Sequence, residues 1–271
     1  KMDKINLNAK EITLMGALLG AEDLFGIDDG FGNVSEESMP SEIDAVQNSL
    51  AAKHVLDVDF DGNVAVPKSA EDFMHPLVEC DCFLAFIKQD AGKDAEQRIV
   101  YKSKRGILIS DITYSGYELE SADVGKVWKD ISSLVSGLPD STLSFEPVSI
   151  MQSELDKMKH SESAINQLQE KGLNDQAAEL IAKGFVGKAD YMSLICTCPY
   201  ERHNSVVGLQ VLSDDRIALS LSPEIEDSEN YVVIAPAPAS YIASEIVKIT
   251  EMFLRYGGEE SENDFAVGQD T

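Results

Sequence analysis

The chain has 271 residues, 44% of them hydrophobic and 26% charged, enough apolar material for the core of one large domain or two smaller ones. Its 22 Lys and Arg stand against 48 Asp and Glu, and the resulting net charge of −26 repels phosphate backbones and anionic headgroups, which argues against nucleic acid and membrane surfaces as partners. The same acidity favours solubility and suits a basic or transiently exposed protein client.

No stretch reaches the roughly 18 to 20 apolar residues that a spanning helix needs. At the start, Lys1 precedes a plausible initiator, Met2, and the apolar part is broken by Glu22 and Asp23 with no small-residue cleavage site after it. The expectation is a cytoplasmic protein, and four cysteines on strand-like segments fit a reducing compartment.

Taken along the chain, Ile12, Met15, Leu18 and Leu19 recur at helical spacing until the glycines of "GIDDGFGN". Residues 28–44, acidic and rich in Gly and Ser, read as a surface loop. A helix follows over "VQNSLAAKHVL" and another over the stretch from Ala70. Then "DCFLAFI", "RIVYKS", "RGILISDI" and "SGYELE" form a run of short β-rich segments, as an antiparallel meander requires. Ser121, with Val124, Val127, Trp128, Ile131 and Leu134 after it, opens and sustains an amphipathic helix. Beyond a turn at 136–141 the series repeats: helical "FEPVSIMQSELDKMKHSE" and "AINQLQEKGL", then "DYMSLIC", "SVVGLQVL", "RIALSLS" and "NYVVIAP". Pro236 and Pro238 stop the last strand, and Ile242, Ile246, Ile249 and Phe253 line a closing helix.

The two halves align segment by segment. Leu50, Lys53 and Leu56 fall on Leu168, Lys171 and Leu173; Asp81 and Phe83 on Asp190 and Met192. Ile107 and Ile109 fall on Ile217 and Leu219, Leu119 on Ile234, Ile131 on Ile246 and Leu134 on Ile249. The expected fold is α+β: two quasi-repeats, each an antiparallel meander with flanking helices, forming one pseudo-two-fold domain over 3–256. Repeat one covers 3–138 and repeat two 139–256, and 257–271 reads as an acidic disordered tail in which a docking role for Phe265 and Val267 has no support.

Four features invite a chemical reading. "DVDFDGNVAVPK" opens like a calcium loop with Asp57, Asp59, Asp61 and Gly62. The position that demands a bidentate carboxylate holds Lys68, Pro67 opposes an exiting helix, and Glu71 comes too late. The second repeat lacks this stretch, which reads as a short hairpin around Asp61–Gly62. The pairs Cys80/Cys82 and Cys196/Cys198 lie at alternate strand positions, about 6 to 7 Å apart and too far to share a tetrahedral ion, so they read as buried, reduced thiols. His54, His75, His160 and His203 are scattered outside any base or metal motif, and His54 occupies the slot of Gly172, a helix end. Gly16, Gly20 and Gly26 read as a small-residue packing face. There is no P-loop, no nucleophile elbow and no dinucleotide fingerprint. No catalytic, cofactor or metal residue is assigned, no cofactor is expected, and the chain reads as a non-enzyme.

Leu14, Leu18 and Leu19 in the first helix, then Leu50, Lys53, Leu56, Asp57, Gly62, Val64, Val66 and Pro67, then Asp81, Phe83 and Leu84 entering a strand, form a pattern. That pattern resembles the EspG-type chaperones of type VII (ESX) secretion systems. It departs from them where an arginine is expected in place of Lys53 or His54, and in the additional acidic loop. The resemblance implies two quasi-repeats of sheet with helical packing, no active site, and a divergent relative from a Firmicutes-like type VII locus. It implies a non-catalytic cytoplasmic chaperone or adaptor for a secreted helical-hairpin protein of WXG or LXG type. It transfers no binding residue, so the partner-binding surface stays unassigned. The alternative, an immunity protein neutralising a secreted toxin, rests on the −26 charge, since acidic inhibitors block basic sites.

Overall fold

A computed structural model describes residues 2–135, 141–199, 205–214, 217–226 and 229–255. His203, the turn at 136–140, the side chain of Leu134 and the tail from 256 lie outside the described residues. The first half runs β1 (Lys4–Leu7), α1 (Ala9–Leu19), α2 (Met39–Ala52), β2 (Asp57–Val58), β3 (Val64–Ala65), α3 (Lys68–Val78), β4 (Cys82–Gln89), β5 (Glu96–Ser103), β6 (Gly106–Thr113), β7 (Gly116–Ala122) and α4 (Val124–Val135). The second half runs β8 (Val148–Met151), α5 (Gln152–Met158), α6 (Ala164–Glu170), α7 (Asp175–Phe185), β9 (Asp190–Cys198), β10 (Ser205–Ser213), β11 (Ala218–Glu226), β12 (Glu229–Pro236) and α8 (Ala239–Arg255).

Ten strands form one antiparallel sheet in the order β1-β7-β6-β5-β4-β9-β10-β11-β12-β8, so the two halves meet where β4 pairs with β9. Successive strand residues point to opposite faces. On one face, Cys82, Leu84 and Phe86 of β4 and Met192, Leu194, Cys196 and Cys198 of β9 share a core with α4 and α8, through Val127, Ile131, Ile242, Ile246, Ile249 and Phe253. On the other face, α1, α2 and α3 cover the first half from Leu7 to Leu119. There α5, α6 and α7 cover the second half from Ile150 to Ile234. The fold is thus a mixed α/β architecture built on one large antiparallel sheet.

Local chemistry explains the helix limits. Asn8 closes a capping box on α1: its side-chain oxygen accepts from Glu11 N at 3.0 Å, and its own N–H donates to Glu11 Oε2 at 2.7 Å. Gly20, at φ 79°, supplies the left-handed stop. His54 (φ 59°) and Gly172 (φ 103°) sit just past α2 and α6, the helix ends expected of them.

Several expectations change. The edge strands β1 and β8 lie in segments read as helix approach or helix, because four residues are too few to show a period. Residues from Met39 onward within the expected surface loop form α2, and Asp28 is held by Tyr117, whose hydroxyl meets Asp28 N at 3.0 Å and Oδ2 at 3.1 Å. Ser121 lies within β7; Asp123, which accepts Lys126 N at 2.7 Å, opens α4 instead. Pro67 precedes α3 without blocking it, since the first turn of a helix needs no donor from that residue.

The alignment of the halves divides by element. Leu50, Leu56 and Leu119 lie in the first-half core, and Leu168, Leu173 and Ile234 in the second-half core. Ile131 and Ile246 share the central one. Other pairs do not match: Ile107 is in the central core and Ile217 in the second-half core, while Phe83 packs on the first-half core and Met192 in the central one. A one-residue slip exchanges the faces of a strand, so those residues do not occupy equivalent positions.

Candidate protein-binding groove

The central strands are apolar at both parities: Phe83, Leu84, Ala85, Phe86 and Ile87 follow one another in β4, and Leu194, Ile195 and Cys196 in β9. Such runs belong to strands that bury both faces, unlike the alternating pattern of a half-solvated sheet. Among the described residues, one face is fully covered at the centre and the other only in part. Leu84 and Leu194 are 1% exposed under α4 and α8. Their neighbours Ala85, Ile87, Ile195 and Thr197 are only half-buried on the opposite face.

These side chains form a continuous floor because the register puts them side by side: Ala85 pairs with Ile195, and Ile195 with Gly208 on β10. A Cβ on Gly208 would stand 3.0 Å from Ile195 Cγ1, so glycine keeps the floor low there. Val206, on the same face of β10, is 49% exposed and extends the apolar surface.

The walls come from the two helical layers. On the first side α3 packs on β5 and β6, and Phe25 stacks on Phe83 with ring centroids 5.3 Å apart. Tyr101 pins that aromatic segment by donating to Phe25 O at 2.7 Å. On the second side α7 packs on β10, with Gly184 set against Leu212. At the Gln89–Tyr191 end, Gly92 N donates to Gly187 O at 3.2 Å and Ala91 N to Asp190 Oδ1 at 2.8 Å, tying the two turns together. The floor carries no ionisable side chain. It offers apolar contact in a channel between helices, the surface that an amphipathic segment of another chain would cover.

The residues considered for chemistry go elsewhere. Asp57, Asp59 and Asp61 sit on the hairpin β2–β3, where Asp59 Oδ1 accepts from Asp61 N at 2.9 Å and Asn63 N at 2.8 Å, and its Oδ2 from Asn63 Nδ2 at 2.9 Å. The Asn63 side chain leads the set of hydrogen bonds that hold the Asp59 carboxyl below its ordinary range. Lys68 opens α3 and pairs with Glu71 and Asp72 at 3.1 and 2.8 Å, so the twelfth position faces away from any loop cation.

The cysteines separate three to one. Cys82, Cys196 and Cys198 meet in the central core, and Cys80 joins the first-half core. Strand pairing, not the C-x-C spacing, creates this trio. Burial pushes the Cys80 and Cys196 thiols up to about 12, which leaves them protonated and unreactive. Among the described residues no group of three or more His, Cys, Asp or Glu is arranged to hold a metal ion, and no helix is long and apolar enough to cross a membrane.

No family model matches this chain, and no curated protein sequence matches it. A solved structure does match in fold: the Mycobacterium tuberculosis type VII secretion system chaperone EspG5, determined in complex with a PE25–PPE41 dimer. The likeness has a TM-score of 0.57 at 10% identity and covers 92% of this chain and 96% of that one. At that identity it is a likeness of fold, and it agrees with the EspG-like architecture read from the sequence.

Proposed function

We propose that this chain is a non-catalytic, cytoplasmic chaperone of a type VII secretion system that covers an apolar helical segment of a client before export. The groove over β4 and β9 carries the reading: an apolar, charge-free floor left half-open between two helical walls is a surface with a missing cover. The likeness in fold, over 92% of this chain, to a chaperone solved in complex with a PE25–PPE41 dimer supports it. The client is a helical-hairpin protein of WXG or LXG type, or a dimer of PE–PPE kind, and the chain is a duplicated single domain over 3–256 from a Firmicutes-like locus. Co-expression with the secreted proteins encoded beside its gene tests this. Ile195→Arg, which sets a cation on the floor without touching the central core, is expected to fold normally and to lower client affinity at least about tenfold. Tight client binding that is unchanged by Ile195→Arg would remove the groove from the mechanism. The rival reading, an immunity protein, is favoured by the net charge of −26. It would win if the chain protected cells from a secreted toxin while its loss left secretion intact.

A further inference from the structure

The hairpin β2–β3 leaves the helical layer between α2 and α3. Its base is fixed: Val55 and Leu56 are buried, and Val64 and Val66 pack on the first-half core. From Asp57 to Asn63 every residue is exposed. At the tip Phe60 is 111% exposed, so its ring packs against no part of the chain, and Val58 on the same hairpin is exposed as well. A lone exposed apolar side chain is ordinary, but this one stands on a turn that is held rigid and that the connection does not require. Rigidity comes from Asp59. Besides its side-chain bonds to Asp61 and Asn63, its N–H donates to Asn63 O at 3.0 Å and its carbonyl accepts from Gly62 N at 3.1 Å, with Gly62 in the left-handed region at φ 81°. The second half shows what the connection needs. There α6 ends at Glu170 and α7 begins at Asp175, so residues 171–174 suffice to join two helices on that face of the sheet; between Ala52 and Lys68 the first half uses residues 53–67.

We propose that this hairpin is a docking knob whose Phe60 ring enters an apolar pocket bordered by lysine or arginine on a protein other than a copy of this chain. Phe60 lacks the hydroxyl through which the equally exposed Tyr114 meets water, so its exposure leaves a wholly apolar ring that a pocket would bury. A turn already ordered loses little conformational entropy on binding, the condition in which a single aromatic side chain anchors an interface. Asp57, Asp59 and Asp61 are not themselves the site; they set the sign of what the ring can approach. Phosphate backbones, anionic headgroups and a second chain of net charge −26 are repelled, whereas a basic rim is attracted and its encounter rate rises. The hairpin shares no residue with the groove floor, so this docking stands apart from the client reading.

The test places the photocrosslinker p-benzoylphenylalanine at position 60 of the full chain in its native host, with position 114, the other fully exposed aromatic tip, as the control. A protein joined from 60 and not from 114 is then purified and titrated with the unmodified chain, because an adduct alone does not count as support. Phe60→Ser is expected to weaken that binding at least about tenfold. Its urea midpoint is expected to be unchanged, since the ring makes no contact within the chain. Raising salt from about 50 to about 500 mM, or combining Asp57→Asn with Asp61→Asn, is expected to weaken binding at least about threefold. No adduct specific to position 60, or a joined protein whose affinity ignores Phe60→Ser, overturns the proposal. Affinity indifferent to salt and to the two asparagines refutes the basic rim, and an adduct to a second copy of the chain refutes the partner class.

Discussion

The clasp at the start of α1 makes a quantitative prediction with an internal control. Glu11 is fully buried, yet it accepts three hydrogen bonds: Ser49 Oγ at 2.6 Å, Lys53 Nζ at 2.7 Å and Asn8 N at 2.7 Å. Lys53 also donates to Asn6 O on the edge strand β1 at 3.0 Å, so one ammonium joins β1, α1 and α2. The aligned lysine of the second half, Lys171, pairs with Glu154 near the start of α5 at the same 2.7 Å, but both of those side chains are over a third exposed, at 37% and 38%. Replacing Lys53 by Met leaves a buried carboxylate with no countercharge. A charge-assisted bond to a buried group is worth about 1.5 to 3 kcal/mol, and the 34% exposure of the Lys53 side chain places the cost near 2 kcal/mol. Lys171→Met removes a solvent-screened pair worth about 0.5 kcal/mol or less. With an m-value of about 3 kcal/mol/M for a chain of this size, the urea midpoints fall by about 0.7 M and about 0.2 M respectively, read by circular dichroism at neutral pH. Acid adds a second signature. Burial alone would raise the Glu11 pKa, but Lys53, Ser49 and Asn8 together hold it below the ordinary 4.5. Its contribution is therefore complete above that value and is lost as pH falls through the lower folded value, a slope that Lys53→Met flattens. Equal midpoint shifts in the two variants would refute the reasoning, because the two ion pairs have the same length and differ in burial and in the further bonds made by Lys53 and Glu11.

Other changes have equally direct outcomes. A Cβ on Gly30 would stand 2.4 Å from Lys10 N and 2.5 Å from its Cα, so Gly30→Ala forces backbone apart and is expected to cost about 2 to 3 kcal/mol in urea unfolding. Arg98 spans Asp111 through Nε and Nη2 at 2.5 and 2.8 Å and Asp130 of α4 through Nη1 at 2.7 Å. Arg98→Lys keeps the charge but loses the fork; a loss of about 1 to 2 kcal/mol with faster amide exchange in α4 is expected. Millimolar calcium is expected to leave the melting temperature unchanged, because both Asp59 oxygens are engaged within the turn and Lys68 faces Glu71 and Asp72; a saturable rise would contradict this.

Much of the architecture was legible because it rests on period and on local backbone chemistry. The spacing of Ile242, Ile246, Ile249 and Phe253 writes one face of α8, and all four are buried. His54 and Gly172 were recognisable as helix ends from their shared slot, since a left-handed residue must follow a helix that turns back. The groove has a signal in the sequence: unbroken apolar runs in β4 and β9 imply that both faces want cover.

Most elements, turn chemistry and the EspG-like order of segments therefore follow from the sequence itself, because each depends on neighbours a few residues apart; the short edge strands β1 and β8 do not. Which face of each strand is buried does not, as the alignment of Ile107 with Ile217 shows: the two fall in different cores, and a shift by a single residue inverts the side. The partnership of Cys82 with Cys196 and Cys198, and the partial exposure of Ala85 and Ile195, arise only when β4 and β9 pair and the helices distribute themselves over two faces. Long-range packing made that choice, and it left open the surface from which the proposed function is read.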